Sequence, residues 1–309
     1  MFLIDKTSNN YLNLFLLLII TRIIKKEDNL RTRVAIVTLD DDGNGSYEHA
    51  THFSYDIHGN VDILVQDNPS LSSLNQQYKK IGYEYDLVSG NVNQVKYQEG
   101  EADQFYHRYE YDADNRITNV WTSKDQVIWD QDAKYFYYAH GPLARVELSD
   151  NKVQAMDYAY TIQGWVKGVN SNTLNETRDI GKDGDLTIGN INRNIARDAF
   201  SYSLSYYNGD YTAINATVNQ TANNFIADVI AAAYLTTDAP DLFNGNIKHM
   251  ITTITDIDPG NSVDDGTPLP QLTAYHYDQL NRIIQMKAYR DLNLSTMRGE
   301  MVLTQHLTA

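Results

Sequence analysis

Arg108-Tyr109-Glu110-Tyr111-Asp112-Ala113-Asp114-Asn115-Arg116-Ile117-Thr118-Asn119-Val120-Trp121 spells out a strand, a turn and a return strand in one short run. Tyr109 and Tyr111 fall on one face of an extended chain, and Ile117, Asn119 and Trp121 recur at period two after the break. Asp112 can bond its own backbone and Asn115 tolerates a positive φ, so the break between the strands is turn chemistry.

The same phrase returns along the chain: a tyrosine, usually an aspartate, variable residues, Gly or Asn, then a β-branched or bulky residue. Its copies begin at Tyr55-Asp56 with Gly59, at Tyr85-Asp86 with Gly90, at Tyr111-Asp112 with Asn115-Arg116, and at Tyr277-Asp278 with Asn281-Arg282. Two weaker copies keep the tyrosine and the glycine but not the aspartate, at Tyr137 with Gly141 and at Tyr160 with Gly164. From Tyr55 to Tyr160 the starts are 23 to 30 residues apart, a spacing proper to repeat architectures. A lone hairpin is unstable in water, so the hairpins must pair laterally, with their tyrosines as cross-strand neighbours. The expected fold is mainly β: a curved, spiralling antiparallel sheet with one short helix.

Composition agrees with a sheet. The chain holds 23 Tyr against 8 Phe and 3 Trp, and a tyrosine ring with its polar tip suits a half-buried sheet face. The formal net charge of −15 opposes nucleic-acid binding, which rests on cationic side chains. There is no cysteine, hence no disulfide and no thiolate metal site.

Several segments depart from the repeat. Residues 1–30 form an apolar leader or non-native segment outside the repeat fold. Its run Tyr11 to Ile24 is short for a membrane span and lacks a cleavage site, so membrane contact is expected only if that run is native. Residues 31–309 form the repeat domain, with an irregular insertion around 170–245. Asn223 to Thr236 carries helical spacing, and Asp256 to Pro270 is an acidic loop rich in Gly and Pro.

These phrases resemble the YD-repeat, or RHS-repeat, family in the form found in Bacteroidetes, and the resemblance covers about residue 31 to the end. Tyr158-Ala159-Tyr160-Thr161-Ile162-Gln163-Gly164-Trp165, Tyr206-Tyr207-Asn208-Gly209-Asp210-Tyr211 and Phe243-Asn244-Gly245-Asn246-Ile247 add to it. The resemblance implies a secreted or cell-surface location and a structural segment of a hollow β-shell that encloses or presents a C-terminal toxin or effector. The partners it implies are the remaining repeats and that toxin domain. The family's Asp-Pro-x-Gly core motif and following toxin are not seen after Tyr289, so the chain reads as a fragment of a longer shell protein.

Chemistry of its own is not expected. Asp40, Asp42, Asn44 and Gly45 sit as in the start of an EF-hand, but Thr51 stands where a bidentate glutamate is needed, which leaves a solvated acidic turn. Asp179, Asp183 and Asp185 also lack the late glutamate. His49 and His52 fall on opposite faces of a strand, and with His58 they do not make a zinc set. No nucleophile elbow, phosphate loop or HExxH pattern occurs, so no catalytic residue, cofactor or metal is assigned. The tyrosine stripes keep one alternative open, a surface adhesin or carbohydrate-binding module that stacks on sugar rings.

Overall fold

The computed structural model describes residues 32–171, 174, 178–213, 239–255, 270–293 and 298–306, with residues 291–293 and 298–306 described by backbone alone. The expected helix over 223–236, nearly all of the 256–270 loop and the 1–30 leader lie outside the described residues. The chain divides into two compact units, Met1–Asp132 and Ala133–Ala309.

The first unit is a meander of β1 (Ile36–Leu39), β2 (His49–Tyr55), β3 (Val61–Asp67), β4 (Tyr78–Tyr85), β5 (Val92–Tyr97), β6 (Phe105–Tyr111) and β7 (Ile117–Ser123). Each strand pairs antiparallel with the one before it. A short 3₁₀ segment, Pro69–Leu74, bridges β3 and β4. Next comes β8 (Asp130–Tyr137), which passes into the second unit. There it is followed by β9 (Leu143–Leu148), β10 (Gln154–Tyr160), β11 (Val166–Val169), β12 (Phe200–Ser205), β13 (His249–Ile254), β14 (Gln271–Tyr277), β15 (Ile283–Asn293) and β16 (Arg298–His306). These too pair antiparallel in chain order. The fold is mainly β and antiparallel, as the hairpin phrases predict.

The strands obey the period-two rule, and β2, β10 and β13 alternate between buried and less buried residues. The buried positions carry small or polar side chains: Ala50, His52 and Ser54 in the first unit; Ala155, Ala159, Ser201, Ser203 and Ala274 in the second. Ile251 and Leu272 are the largest fully buried side chains. With so little aliphatic bulk inside, the half-buried tyrosines carry much of the apolar contact, and their hydroxyls need partners.

Candidate functional site: the repeated turn and its tyrosine clamp

Each of the six copies is the same object. The residue after the tyrosine donates its amide across the turn to the carbonyl that opens the return strand, as in Asp56 to Asn60 (2.9 Å), Asp112 to Arg116 (2.9 Å), Tyr138 to Pro142 (2.9 Å), Thr161 to Trp165 (2.8 Å) and Asp278 to Arg282 (2.9 Å). Asp86 to Asn91 (2.8 Å) does so across a turn one residue longer. The Gly or Asn at the crown donates back to that first residue and takes a positive φ: 98° at Gly59, 75° at Gly90, 60° at Asn115, 115° at Gly141, 83° at Gly164 and 62° at Asn281. Only Gly, and next best Asn, adopts this backbone readily, which fixes the residue choice at the crown.

The aspartate works inside the turn. Asp56 accepts from the amides of His58, Gly59 and Asn60 at 2.6–2.9 Å. Asp112 accepts from the amides of Asp114 and Arg116 and from Arg116 Nε at 2.7 Å, and Asp278 treats Leu280 and Arg282 the same way, again with 2.7 Å to Nε. Such bonds favour the ionised form. Hydrogen bonds from Ser89 hold Asp86 below its ordinary value, the Arg116 side chain does so for Asp112, and the Arg282 amide does so for Asp278. At Asp56 burial pushes upward, but the bonds from Asn60, Gly59 and His58 outweigh it. In the copy led by Tyr160, Thr161 Oγ1 takes the aspartate's place by accepting from the Trp165 amide at 3.2 Å.

Behind every turn the ladder slips by one residue, and always next to the leading tyrosine. Ser54 pairs with Ile63 but Tyr55 with Val61, so Asp62 is the extra residue of a bulge. Asn93, Thr118, Ala144, Lys167 and Ile284 hold the same place in the other copies. Periodicity alone did not reveal this shared bulge.

At Tyr55, Tyr85, Tyr111 and Tyr277 the leading tyrosine's hydroxyl joins its hairpin to the chain before it. Tyr85 donates to the Val61 carbonyl at 2.9 Å, Tyr111 to Val92 at 2.8 Å and Tyr55 to Val34 at 2.7 Å. In the second unit Tyr206 reaches Val166 at 2.8 Å and Tyr277 reaches Ile247 at 2.9 Å. The acceptor lies at or just before the start of the preceding strand. The expectation of cross-strand ring stacking is thereby refined: leading tyrosines sit on alternate strands, roughly 9.5 Å apart, beyond the usual ring-to-ring distance. Parallel stacking occurs along one strand, between Tyr83 and Tyr85 at 6.3 Å, while Tyr138 and the leading Tyr160 meet edge to face at 6.5 Å. Neighbouring crowns also touch, Asn91 Nδ2 donating to Asn115 Oδ1 at 2.9 Å and Asn246 Nδ2 to Asn281 Oδ1 at 3.0 Å.

The other candidates do not assemble. His49 is exposed and contacts Asn68 at 2.7 Å, His52 is buried, and His58 lies in a turn 3.9 Å from Asp56. The carboxylates of Asp40, Asp42 and Glu48 come within 4.8 Å of one another on the surface. Their oxygens accept from the amides of Gly43, Gly45, Asn44 and Asp41, as in an acidic turn, while Thr51 is paired inside β2. Asp179 and Asp185 bond nearby backbone amides, whereas Asp183 is carried off to Arg145.

Sequence reasoning missed two buried ionic groups of the second unit, whose members lie too far apart in the chain to form a motif. Lys167 Nζ, on the bulge residue of β11, meets Asp210 at 2.7 Å and Ser205 Oγ at 3.1 Å, with both charged side chains at most 5% exposed. Arg145 binds Glu147, Asp157 and Asp183 together. In the first unit a cavity of about 570 Å³ opens beside the 3₁₀ segment, lined mainly by polar residues including Asn75, Gln76, Tyr78, Lys80, Gln98 and Glu101. No helix among the described residues is long and apolar enough to cross a membrane.

No family description and no curated protein matches the sequence. Solved structures are similar in fold only. One is the TcdB2-TccC3 assembly without its hypervariable C-terminal region, at 10% identity and a TM-score of 0.41, covering 84% of this chain and 12% of that one. Another is the Tc holotoxin pore of Photorhabdus luminescens, at 10% identity and a TM-score of 0.40, covering 82% and 12%. A porin-like protein from Bacteroides uniformis matches at 8% identity and a TM-score of 0.29, covering 86% and 91%. The chain thus spans about an eighth of the length of the toxin-complex chains it matches.

Proposed function

We propose that the chain is a structural segment of an RHS-type β-shell, secreted or at the cell surface, that encloses or presents a C-terminal effector and performs no catalysis itself. The observation that carries this reading is the recurrence of one turn, one bulge and one hydroxyl clamp in both units. A module repeated with its inter-hairpin bond can extend a wall unit by unit, and its recurring chemistry serves pairing. The test is the genomic reading frame and its product. Further tyrosine-led repeats with a downstream effector, protected from protease until the repeats unfold, are expected; a frame flanked by neither overturns the reading.

The polar cavity beside Pro69–Leu74 favours a second reading, a carbohydrate-binding surface. Its amide, carboxylate and ammonium groups suit hydroxyl arrays, and Tyr78 offers a ring face. A glycan array giving only background signal would dismiss it.

A further inference from the structure

Between β11 and β12 the chain leaves the ladder and returns across β9 and β10. Residues 178–198 of this excursion are fastened there by carboxyl groups, together with the buried Ile195 and a bond from the Ala196 amide to the Lys152 carbonyl. Arg145 of β9 binds Glu147 on its own strand at 3.3 Å, Asp157 on β10, and Asp183 of the excursion at 2.5 Å. The four side chains are 0–10% exposed. Asp179 spends one oxygen on the Gly181 amide and the other on the Asp183 amide, and it also shares a hydrogen bond with the Asp198 carboxyl. Asp198 in turn accepts from Gln154 Nε2 of β10 at 3.2 Å. Gly181 lies so close that a Cβ there would stand 2.2 Å from both Arg145 Nη1 and Asp157 Oδ2, so the backbone itself is pressed onto the cluster.

The charges facing this joint do not balance. Glu147, Asp157, Asp179, Asp183 and Asp198 converge on one guanidinium, and the half-exposed Lys152 adds a contact of 3.3 Å to Glu147. Tyr138 borders Asp157 and brings no positive charge. Arg178 and Arg197 of the excursion each make an interaction, and neither is among the main influences on Asp157, Asp183 or Asp198. Asp183 Oδ2 is buried without a hydrogen-bond partner. Fully ionised, Glu147, Asp157 and Asp183 are like charges largely out of water, with the half-buried Asp179 and Asp198 beside them, a crowding that protonation relieves.

We propose that residues 178–198 form a proton-controlled clasp, docked on β9 and β10 while Asp157, Asp183 and Asp198 retain protons and released as they ionise. Burial and the neighbouring carboxylates support this by raising Asp157 to about 6, against the pull of Arg145, and by raising Asp183 and Asp198. A carboxyl whose docked value exceeds its free value takes up a proton on docking. The clasp is therefore tightest in acid and loosens as pH rises through the docked values. Release would bare Arg145, Asp157 and the small residues of β10 beneath.

The test is hydrogen exchange on the whole chain in EDTA at about pH 5 and about pH 8.5, corrected for intrinsic rates. Protection of 178–198 should fall at least about tenfold at the higher pH, while β2 to β7 stays unchanged. Asp198→Asn, which keeps an amide for Asp179 and loses the charge, should shrink that response severalfold, leaving only the part carried by Asp157 and Asp183. Trypsin cutting at exposed Lys182 and Arg193, normalised to exposed Lys124 of the first unit, should rise with pH in the unaltered protein, a readout independent of whether the variant folds. Parallel loss of protection in both units, an unaltered response in a folded Asp198→Asn, or a flat cutting ratio would each overturn the clasp.

Discussion

At the scale of single residues, the tyrosine hydroxyl is what distinguishes this repeat from any amphipathic hairpin. A phenylalanine would fill the same half-buried space but leave the strand-opening carbonyl short of a partner. Tyr85→Phe and Tyr111→Phe should each cost the first unit about 1 kcal/mol in urea unfolding, the net worth of one such bond. Tyr83→Phe, whose ring packs on Tyr85, should be close to neutral. The crown is equally specific. At Gly90, φ is 75° and the space around a would-be Cβ is open, so Gly90→Ala should cost about 1–2 kcal/mol from backbone strain alone. At Gly59 the atom nearest that Cβ position is the tip of the exposed Arg33 side chain, which can swing aside, so Gly59→Ala should cost about the same.

The turn aspartates set a pH dependence at this same scale. Asp86, Asp112 and Asp278 are held below their unfolded values, so their contribution is present above about pH 4 and is lost as pH falls through the folded values. Carboxyl NMR titration should find all three below free aspartate, and Arg116→Ala should move Asp112 back toward it. These roles were legible in the sequence because turn chemistry is local: every group that Asp112 contacts lies within four residues.

At the scale of elements, reading by period two located the hairpins but not what ties them to one another. Tyr85 and Val61 are 24 residues apart, and only a register brings them together. Arg145 and Asp183 are separated by 38 residues and Lys167 and Asp210 by 43, so no spacing rule flags either pair. The Lys167 pair makes a sharp prediction. Burial pushes Lys167 downward while Asp210 holds it up, and loss of either partner strands a charge among buried groups. Lys167→Met should destabilise the second unit by about 3–5 kcal/mol, and adding Asp210→Asn should recover much of that loss in the thermal transition. His249 acts in the opposite sense to the carboxyl cluster. Burial, with Lys248 and Lys167 nearby, takes it from 6.5 down to about 3, so unfolding takes up a proton between those values. The contribution of His249 should be lost as pH falls from about 6.5 to 3, read as a stability difference between His249→Gln and the unaltered protein that changes across that range.

At the scale of the whole molecule, the defining property is that successive hairpins pair with one another in chain order, without a crossover, within each unit. This followed from the repeat itself, because identical hairpins with identical edges have each other as the natural partner. The register between hairpins was not legible, since the bulge beside each leading tyrosine displaces the return strand by one residue and a one-residue slip exchanges the two faces. That register is the central claim, and paired cysteines test it most directly because the chain has none of its own. Gln94 faces Arg108 and Val95 faces His107 across the junction of β5 and β6, between two hairpins. Adjacent pairs alternate between close and wide spacing, so at least one of Gln94→Cys with Arg108→Cys and Val95→Cys with His107→Cys should oxidise to a disulfide. Gln94→Cys with Tyr109→Cys, one residue out of step, should stay reduced; closure of that pair in preference to both others would contradict the account.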